Sequence, residues 1–312
     1  MKKIAVLIPC FNEGKTIGRV VSEFRAELPA AEIYVYDNNS TDNTAAEAGK
    51  ARALVRREMR RGKGNVVRSM FSDIEADVYV MVDGDGTYPP EKVRDIIGPV
   101  IRGEADVALG SRLHKTSDSR FKPLNRFGNM SFAFLIRHFF GVTIKDVLSG
   151  YMALNKRVVK GLPLVGSGFE IEAEIVIKCL RKGYRITEVP VTLALRHEES
   201  ASKIKIFRDG LAILNTIVIL FTEYKPLTAF GLLGLFFVLA GLVPGFIVIR
   251  EYLETGFVYR LPSAVLAVGL VLVGVISGLS GLVLHAVSRH LEELDGRLRQ
   301  MERTKAGDRD AE

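Results

Sequence analysis

The spacing of apolar positions changes several times along this chain, and each change marks an element. Ile4–Pro9 is a continuous apolar run, as expected of a strand buried on both faces. Lys15–Leu28 then places Ile17, Val20, Val21, Phe24 and Leu28 on one helical face. Glu32–Tyr36 reads as a second strand. A helix capped by Thr41 or Asp42 follows to about Lys50, and Ala53–Arg56 reads as a third strand. Gly62-Lys63-Gly64 reads as a turn before a helix to about Glu75. Asp77–Val82 is a fourth strand, Pro89–Ile101 a helix with proline at its start, and Asp106–Leu109 a strand again. Strands alternating with helices predict an α/β domain with a mainly parallel sheet. In such sheets ligands sit beyond the carboxyl ends of the strands.

The pattern changes after residue 225. Leu227–Ile249 and Leu261–Leu284 contain no charged residue. A helix of about 20 residues spans roughly 30 Å, the thickness of a bilayer core. Two buried core helices are the competing reading, but the runs are too long and too uniformly apolar for it. Lys203, Lys205, Arg208 and Lys225 precede the first run, and Arg289, Arg297, Arg299 and Arg303 follow the second. The positive-inside rule therefore places both ends in the cytoplasm and the short link Arg250–Arg260 outside. Gly241/Gly245 and Gly274/Gly278 offer GxxxG faces for packing the two helices. Asn125–Phe140 and Lys203–Phe221 read as interfacial helices, with ordinary core helices as the alternative. Ser288–Arg303 carries Leu291, Leu294, Leu298 and Met301 at coiled-coil spacing, which would serve a homo-oligomer or a plain amphipathic surface helix. Residues after Lys305 read as disordered. The expected division is a soluble domain over 1–203, an interfacial helix over 204–225, two spans within 226–287 (about 227–249 and 262–287) and a cytoplasmic helix and tail over 288–312.

Composition narrows the reading further. Forty-three Lys and Arg against 36 Asp and Glu give a net charge of +7, and 25% charged residues exclude a disordered chain. Two cysteines supply neither a disulfide framework nor zinc spacing. The apolar run after Met1-Lys2-Lys3 stops at Pro9, too early for a signal peptide.

The candidate chemistry lies at the predicted strand ends. Asp83 and Asp85 follow the fourth strand in a glycine-containing loop, where two carboxylates suit one Mg²⁺ or Mn²⁺ together with substrate phosphates. By itself such a pair is also ordinary turn chemistry. Asp37 ends the second strand. Lys63 between glycines is placed to meet a phosphate, but the chain has no P-loop pattern, and no GxGxxG follows the first strand.

Taken in order, Pro9-Cys10-Phe11-Asn12-Glu13, Asp37-Asn38-Asn39-Ser40-Thr41-Asp42-Asn43-Thr44 and Asp83-Gly84-Asp85 resemble the inverting family-two glycosyltransferases. Gly110-Ser111-Arg112, Asp146–Tyr151, Glu188–Val191 and Arg196–Lys203 narrow the resemblance to the polyprenyl-phosphate sugar synthases, a group that includes dolichol-phosphate mannose synthases and undecaprenyl-phosphate glucosyltransferases. The chain carries Glu199 where the similar RPEGSASK-like segment has glycine. The resemblance implies a GT-A type nucleotide-sugar-binding domain followed by a two-helix transmembrane hairpin. It implies a nucleotide-sugar donor, UDP-linked in preference to GDP-mannose, with Pro9, Phe11, Glu13, Asp37, Lys63 and Asp83 around it and Asp83 and Asp85 on the metal. It implies a polyprenyl phosphate acceptor held by Arg112, Arg126, Arg196, Ser202 and Lys203, with Asp85, Arg112, Arg196 and Lys203 as the catalytic set. The product would be a lipid-linked sugar for glycan or cell-envelope assembly. The membrane is an expected partner and nucleic acid is not.

Glu170, Glu172 and Glu174 crowd a helix start, where carboxylates favour the dipole whatever their function; a catalytic role is the alternative. Asp146 and Ser149 are expected to shape a loop. Three other functions compete. A polysaccharide synthase would carry a QxxRW motif, and the chain has no tryptophan. A non-catalytic sugar-nucleotide-binding membrane module would not need the acidic pair and the cations. A soluble pyrophosphorylase would need a glycine-rich first loop and no spans.

Overall fold

β1 (Ile4–Cys10) lies inside a sheet and feeds the helix α1 (Ile17–Glu27). The computed structural model describes residues 2–112, 132, 134–138, 144–193 and 206–309. The chain divides into two compact units, Met1–Ile217 and Val218–Glu312.

In the first unit, β2 (Glu32–Asp37), α2 (Thr44–Lys50), β3 (Leu54–Arg57), α3 (Lys63–Asp73), β4 (Val78–Met81), α4 (Val93–Ile101) and β5 (Val107–Ser111) follow in chain order. They are joined by β6 (Met152–Asn155), α5 (Lys156–Gly161), α6 (Ile171–Arg181) and β7 (Ile186–Pro190). Among the described residues the sheet has seven strands in the order β3-β2-β1-β4-β6-β5-β7. All its pairings are parallel except those of β6, which runs antiparallel to both β4 and β5. The mainly parallel α/β sheet expected from the apolar pattern is present. Lys63 and Gly64, read as part of a turn, instead open α3, with Gly62 at φ +124° as its cap.

Both faces of β1 are covered, as its unbroken apolar run requires. Val6 and Ile8 share a cluster with Ile17, Val20 and Phe24 of α1 and Ile96 of α4. Ala5 and Leu7 on the opposite face are equally buried. Pro9 is tolerated in this central strand because the β1–β4 ladder ends at Leu7–Met81. Val82 N–H donates to Leu7 O, and Asn38 N–H donates to Cys10 O on the β2 side. The donor that proline lacks would point past the end of β4, where no ladder partner waits.

α7 (Ile206–Tyr224) leads into the second unit. It leaves Leu211, Leu214, Val218 and Ile219 exposed. α8 (Pro226–Thr255) and α9 (Leu261–Arg309) pack antiparallel as a hairpin. Pro226–Thr255 and Leu261–His290 are each long and apolar enough to cross a membrane, and only 17% of the most apolar stretch of each is buried. A core helix of a water-soluble protein would bury most of it. The helices approach at Gly234 against Gly274, Gly241 against the Ala267 carbonyl, and Gly281 against Phe230. This differs from the expected GxxxG faces, since nothing lies within 4 Å of where a Gly278 Cβ would be. The contact glycines recur every seventh residue, the repeat that keeps one seam facing its partner along two nearly straight helices. α9 continues unbroken to Arg309, through the tail expected to be disordered.

Candidate active site

The loops after β1, β2 and β4 meet at the carboxyl end of the sheet and brace one another. Asn12 and Asn39 both adopt left-handed backbone, at φ 52° and 59°, a conformation asparagine tolerates better than other side-chain-bearing residues. Asn12 N–H donates to Ser40 Oγ at 2.9 Å, and Thr41 N–H donates back to Asn12 Oδ1 at 2.8 Å. Glu13 N–H donates to Thr44 Oγ1 at 2.8 Å. Thr16, just before α1, donates from Oγ1 to the Gly84 carbonyl at 2.7 Å and so ties the first loop to the acidic one.

In that acidic loop Gly84 has no room for a side chain, because a Cβ there would sit 2.5 Å from Cys10 Sγ. Gly150 is equally constrained, since a Cβ would collide with the Asp83 carboxylate. Asp85 is buried and accepts from Thr87 N–H at 3.0 Å and Thr87 Oγ1 at 2.7 Å. Asp83 is 30% exposed. Its carboxylate is gripped by the Lys63 ammonium, which is paired on its other side with the buried Glu172. Burial works against a charged Lys63, but the adjacent Asp83 and Glu172 carboxylates outweigh it and hold the ammonium charged.

Asp37 accepts from Ser40 N–H at 3.1 Å and lies 3.9 Å from Arg57. Phe11 has the Arg61 guanidinium 5.2 Å from its ring centroid, so one aromatic face of the expected base pocket carries a cation.

Arg112 is engaged within the protein. Its guanidinium forks onto Asp146 at 2.7 and 2.8 Å and donates to the Leu148 carbonyl at 2.8 Å. Asp146 is fully buried, and its N–H donates to Glu188 Oε1. Ser149 Oγ donates to the Gly110 carbonyl at 2.6 Å. Asp146 and Ser149 thus build the loop beside Arg112. Arg126, Arg196, Ser202 and Lys203 lie outside the described residues, as does most of the Asn125–Phe140 segment.

Tyr88 was not singled out from the sequence, and Asn38, Glu170 and Glu174 take structural tasks there. Tyr88 Oη accepts from Gly150 N–H at 2.9 Å and lies 3.4 Å from Arg112. Burial pushes its hydroxyl up to about 12, against the pull of Arg112, so it stays protonated. Asn38 donates to the Glu58 and Arg60 carbonyls and accepts from Gly62 N–H at 2.7 Å, which fixes the approach to Lys63. Glu174 accepts from Val165 and Gly166 N–H, and Glu170 from Ser167 and Gly168 N–H. The three glutamates at the start of α6 therefore have separate tasks: two secure a loop and Glu172 meets Lys63. The run Asp83–Pro89 was the available signal for Tyr88.

The donor set suits a hard divalent cation only in part by itself. Asp83 and Asp85 offer carboxylate oxygens from one short loop. Among the described residues no group of three or more His, Cys, Asp or Glu side chains is arranged to hold a metal. An ion of the Mg²⁺ type takes one or two carboxylates and completes its shell with substrate phosphates and water.

A parallel-sheet domain with braced loops and an acidic pair at the strand ends is the GT-A type of glycosyltransferase fold. The sequence pattern described as Glycosyl transferase family 2 matches residues 5–162, and the chain belongs to that family. The glycosyltransferase AglJ of Haloferax volcanii is 31% identical over 94% of this chain and 98% of its own length. The dolichol-phosphate mannosyltransferase of Pyrococcus furiosus is 30% identical over 75% of this chain and 68% of its own. Glucosyl-3-phosphoglycerate synthase from Mycobacterium tuberculosis, solved with Mn²⁺, UDP and glucosyl-3-phosphoglycerate, shares the fold at TM-score 0.60. It is 20% identical, over 70% of this chain and 80% of that one. The chain is thus a glycosyltransferase with relatives named for dolichol-phosphate mannosyl transfer.

Proposed function

We propose that this enzyme transfers one sugar from a nucleoside diphosphate sugar, UDP-linked in preference to GDP-mannose, to a polyprenyl phosphate with inversion at the anomeric carbon. The observation that carries the reading is the acidic loop at the end of β4, braced by Thr16, Gly150 and Lys63. The match to a dolichol-phosphate mannosyltransferase supports the acceptor class.

In the reaction the acceptor phosphate oxygen forms a bond to the anomeric carbon. The bond from that carbon to the donor's β-phosphate oxygen breaks, and its electron pair leaves with the nucleoside diphosphate. A phosphomonoester with a second pKa near 6 is already largely ionised at pH 7, so the chain need supply no general base. Asp83 and Asp85 would hold Mg²⁺ or Mn²⁺, whose contribution is to neutralise charge on the diphosphate. Phe11, Glu13, Pro9 and Asp37 would form the nucleoside pocket. Arg126, Arg196, Ser202 and Lys203 would hold the acceptor phosphate, where guanidinium forks match its geometry. Arg112 would contribute from its fixed place on Asp146.

The hairpin would anchor the enzyme in the membrane that carries its acceptor, with both chain ends cytoplasmic. The exposed stripe Leu211, Leu214 and Val218 on α7 suits the interface. The end of α9 is the segment for any self-association.

The test offers radiolabelled UDP- and GDP-sugars with short polyprenyl phosphates and extracts the lipid phase. One nucleotide sugar should give a glycolipid, and Asp85→Ala should abolish it. No glycolipid from any donor would refute the acceptor assignment, and full activity of Asp85→Ala would refute the metal assignment.

A further inference from the structure

Lys63 occupies an unusual position for a residue expected to meet a phosphate. Its side chain is 9% exposed, and its ammonium is taken by two carboxylates, Asp83 and Glu172. One of the two, Asp83, is a proposed ligand of the divalent cation. The other has a single task. Glu172 uses one oxygen on Lys63, and its second oxygen, Oε2, is buried with no hydrogen-bond partner.

The backbone on either side of Lys63 is fixed by contacts of its own. Gly62 N–H donates to Asn38 Oδ1 at 2.7 Å, and Gly64 N–H donates to the Ser167 carbonyl at 3.0 Å. A Cβ on Gly62 would collide with the Ser167 carbonyl, and one on Gly64 with the Gly166 carbonyl. Glu170 and Glu174 pin that same 165–168 loop from below. The flexible four-carbon stem of a lysine allows its charge to be carried a few ångströms about that rigid root.

We propose that the Lys63 ammonium is a placeholder for the divalent cation. It holds Asp83 in the ligand-free protein and passes to the donor's diphosphate when the cation takes Asp83, so that cation and nucleotide bind as a coupled pair. This rests on the metal reading of Asp83 and Asp85 given above. A cation arriving alone must displace the ammonium and leave two positive charges side by side. A diphosphate arriving with it accepts the displaced ammonium and removes the repulsion. Glu172 keeps Lys63 at home when both ligands leave. Coupling of this kind is a ratio of affinities and is reciprocal between the two ligands.

The test measures Mn²⁺ affinity of the full chain in detergent micelles, from the electron paramagnetic resonance of free Mn²⁺. It is done with and without saturating UDP and corrected for Mn²⁺ held by UDP in solution. In the wild type UDP should tighten Mn²⁺ binding within the usual coupling range of about 5–150-fold. In Lys63→Met, Mn²⁺ alone should bind more tightly and the UDP-dependent gain should fall by roughly tenfold. Because Lys63→Met strands two carboxylates and can unfold the protein, the double variant Lys63→Met/Glu172→Gln, which removes both charges, is measured alongside and should show the same loss of coupling. An unchanged ratio in these variants, with both affinities shifted equally, would mean a fixed background charge and overturn the proposal. Absence of Mn²⁺ binding by the wild type with UDP present would instead overturn the metal assignment, and this inference with it.

Discussion

Replacing Arg112 with methionine separates what this residue holds together from what it contributes to the reaction. Its guanidinium makes three charge-assisted contacts of 2.7–2.8 Å, two to Asp146 and one to the Leu148 carbonyl. Asp146 is fully buried and Arg112 is 14% exposed, so solvent can replace little of what is lost. Breaking one side of such a pair costs about 3–5 kcal/mol, because a buried carboxylate loses its guanidinium partner. An exposed pair such as Arg102–Glu104 would be worth about 0.2–1 kcal/mol. The larger figure is a sizeable part of the roughly 5–15 kcal/mol that stabilises a domain, and it corresponds to about two to three and a half decades in the folding equilibrium, at about 1.4 kcal/mol per decade. Cys10 and Cys179 are both buried, so pulsed thiol labelling in increasing urea reports opening of the first unit within the full chain. Arg112→Met should label at markedly lower urea than the wild type. Arg112→Met/Asp146→Asn, which removes the stranded charge, should recover at least half of the loss. Labelling of the single variant at the wild-type midpoint would refute the structural reasoning. With stability restored, the double variant should still bind UDP but form less glycolipid. Wild-type glycolipid formation would remove Arg112 from the acceptor site.

Three more predictions follow from the geometry. Gly84→Ala should lower turnover about tenfold or more by displacing the Asp83–Asp85 loop, and Gly84→Ala/Cys10→Ala should restore it by removing the clashing sulfur; failure of that rescue, checked by steady-state rates, would sink the packing argument. Hydrogen bonds from Arg60 and Ser69 pull the Glu58 carboxyl from its ordinary 4.5 down to about 2, so its stabilisation is complete above pH 4.5 and disappears as pH falls toward 2. Glu58→Gln should therefore cost about 1–2 kcal/mol at pH 7 and progressively less in acid, whereas a penalty constant with pH in urea titrations would contradict the pairing. Gly274→Leu should open the hairpin, because its Cβ would fall 2.7 Å from the Gly234 carbonyl, while Gly278→Leu should be tolerated; equal protease sensitivity of the Arg250–Arg260 link in both variants would refute this seam.

What the sequence made legible follows the range of the physics involved. β1, β2 and β4 were readable because each fills a two-sided core with a local apolar run. The paired helices were readable because length and hydropathy are also local. β6 was not: Met152–Asn155 is four residues long, carries no alternation, and becomes a strand only by inserting antiparallel between β4 and β5. The start of α3 was misread because Gly62 and Gly64 look like a turn; they open a helix because the 165–168 loop approaches too closely for any side chain. The acidic loop and the asparagine-rich loop could be placed at strand ends from their motifs. Their cross-braces could not, since Lys63 with Glu172 and Arg112 with Asp146 join segments far apart in the chain. In the sequence Glu172 is indistinguishable from Glu170 and Glu174; only the fold sets Lys63 opposite it.

The charges of the described pocket explain why a cation and further basic segments belong to the reaction scheme. Glu13, Asp37, Asp83, Asp85 and Glu172 all lie around the strand ends, and all but Asp83 are buried. Against them stand Lys63, already shared by two carboxylates, Arg57 at 3.9 Å from Asp37, Arg61 over the Phe11 ring, and Arg112, engaged by Asp146. Carboxylates that outnumber the nearby cations would disfavour a diphosphate at these strand ends, and a second phosphate on an acceptor still more. Under the proposed function, a divalent ion at the acidic loop would offset the first anion, and additional guanidinium or ammonium groups would be needed for the second. The sequence supplies those groups in the segments carrying Arg126 and Arg196–Lys203. On this reasoning Arg196→Ala should raise the KM for polyprenyl phosphate and leave UDP affinity in Mn²⁺ unchanged, because the donor's charge is met by the cation and Lys63. A parallel loss of UDP affinity would mean that one set of cations serves both anions.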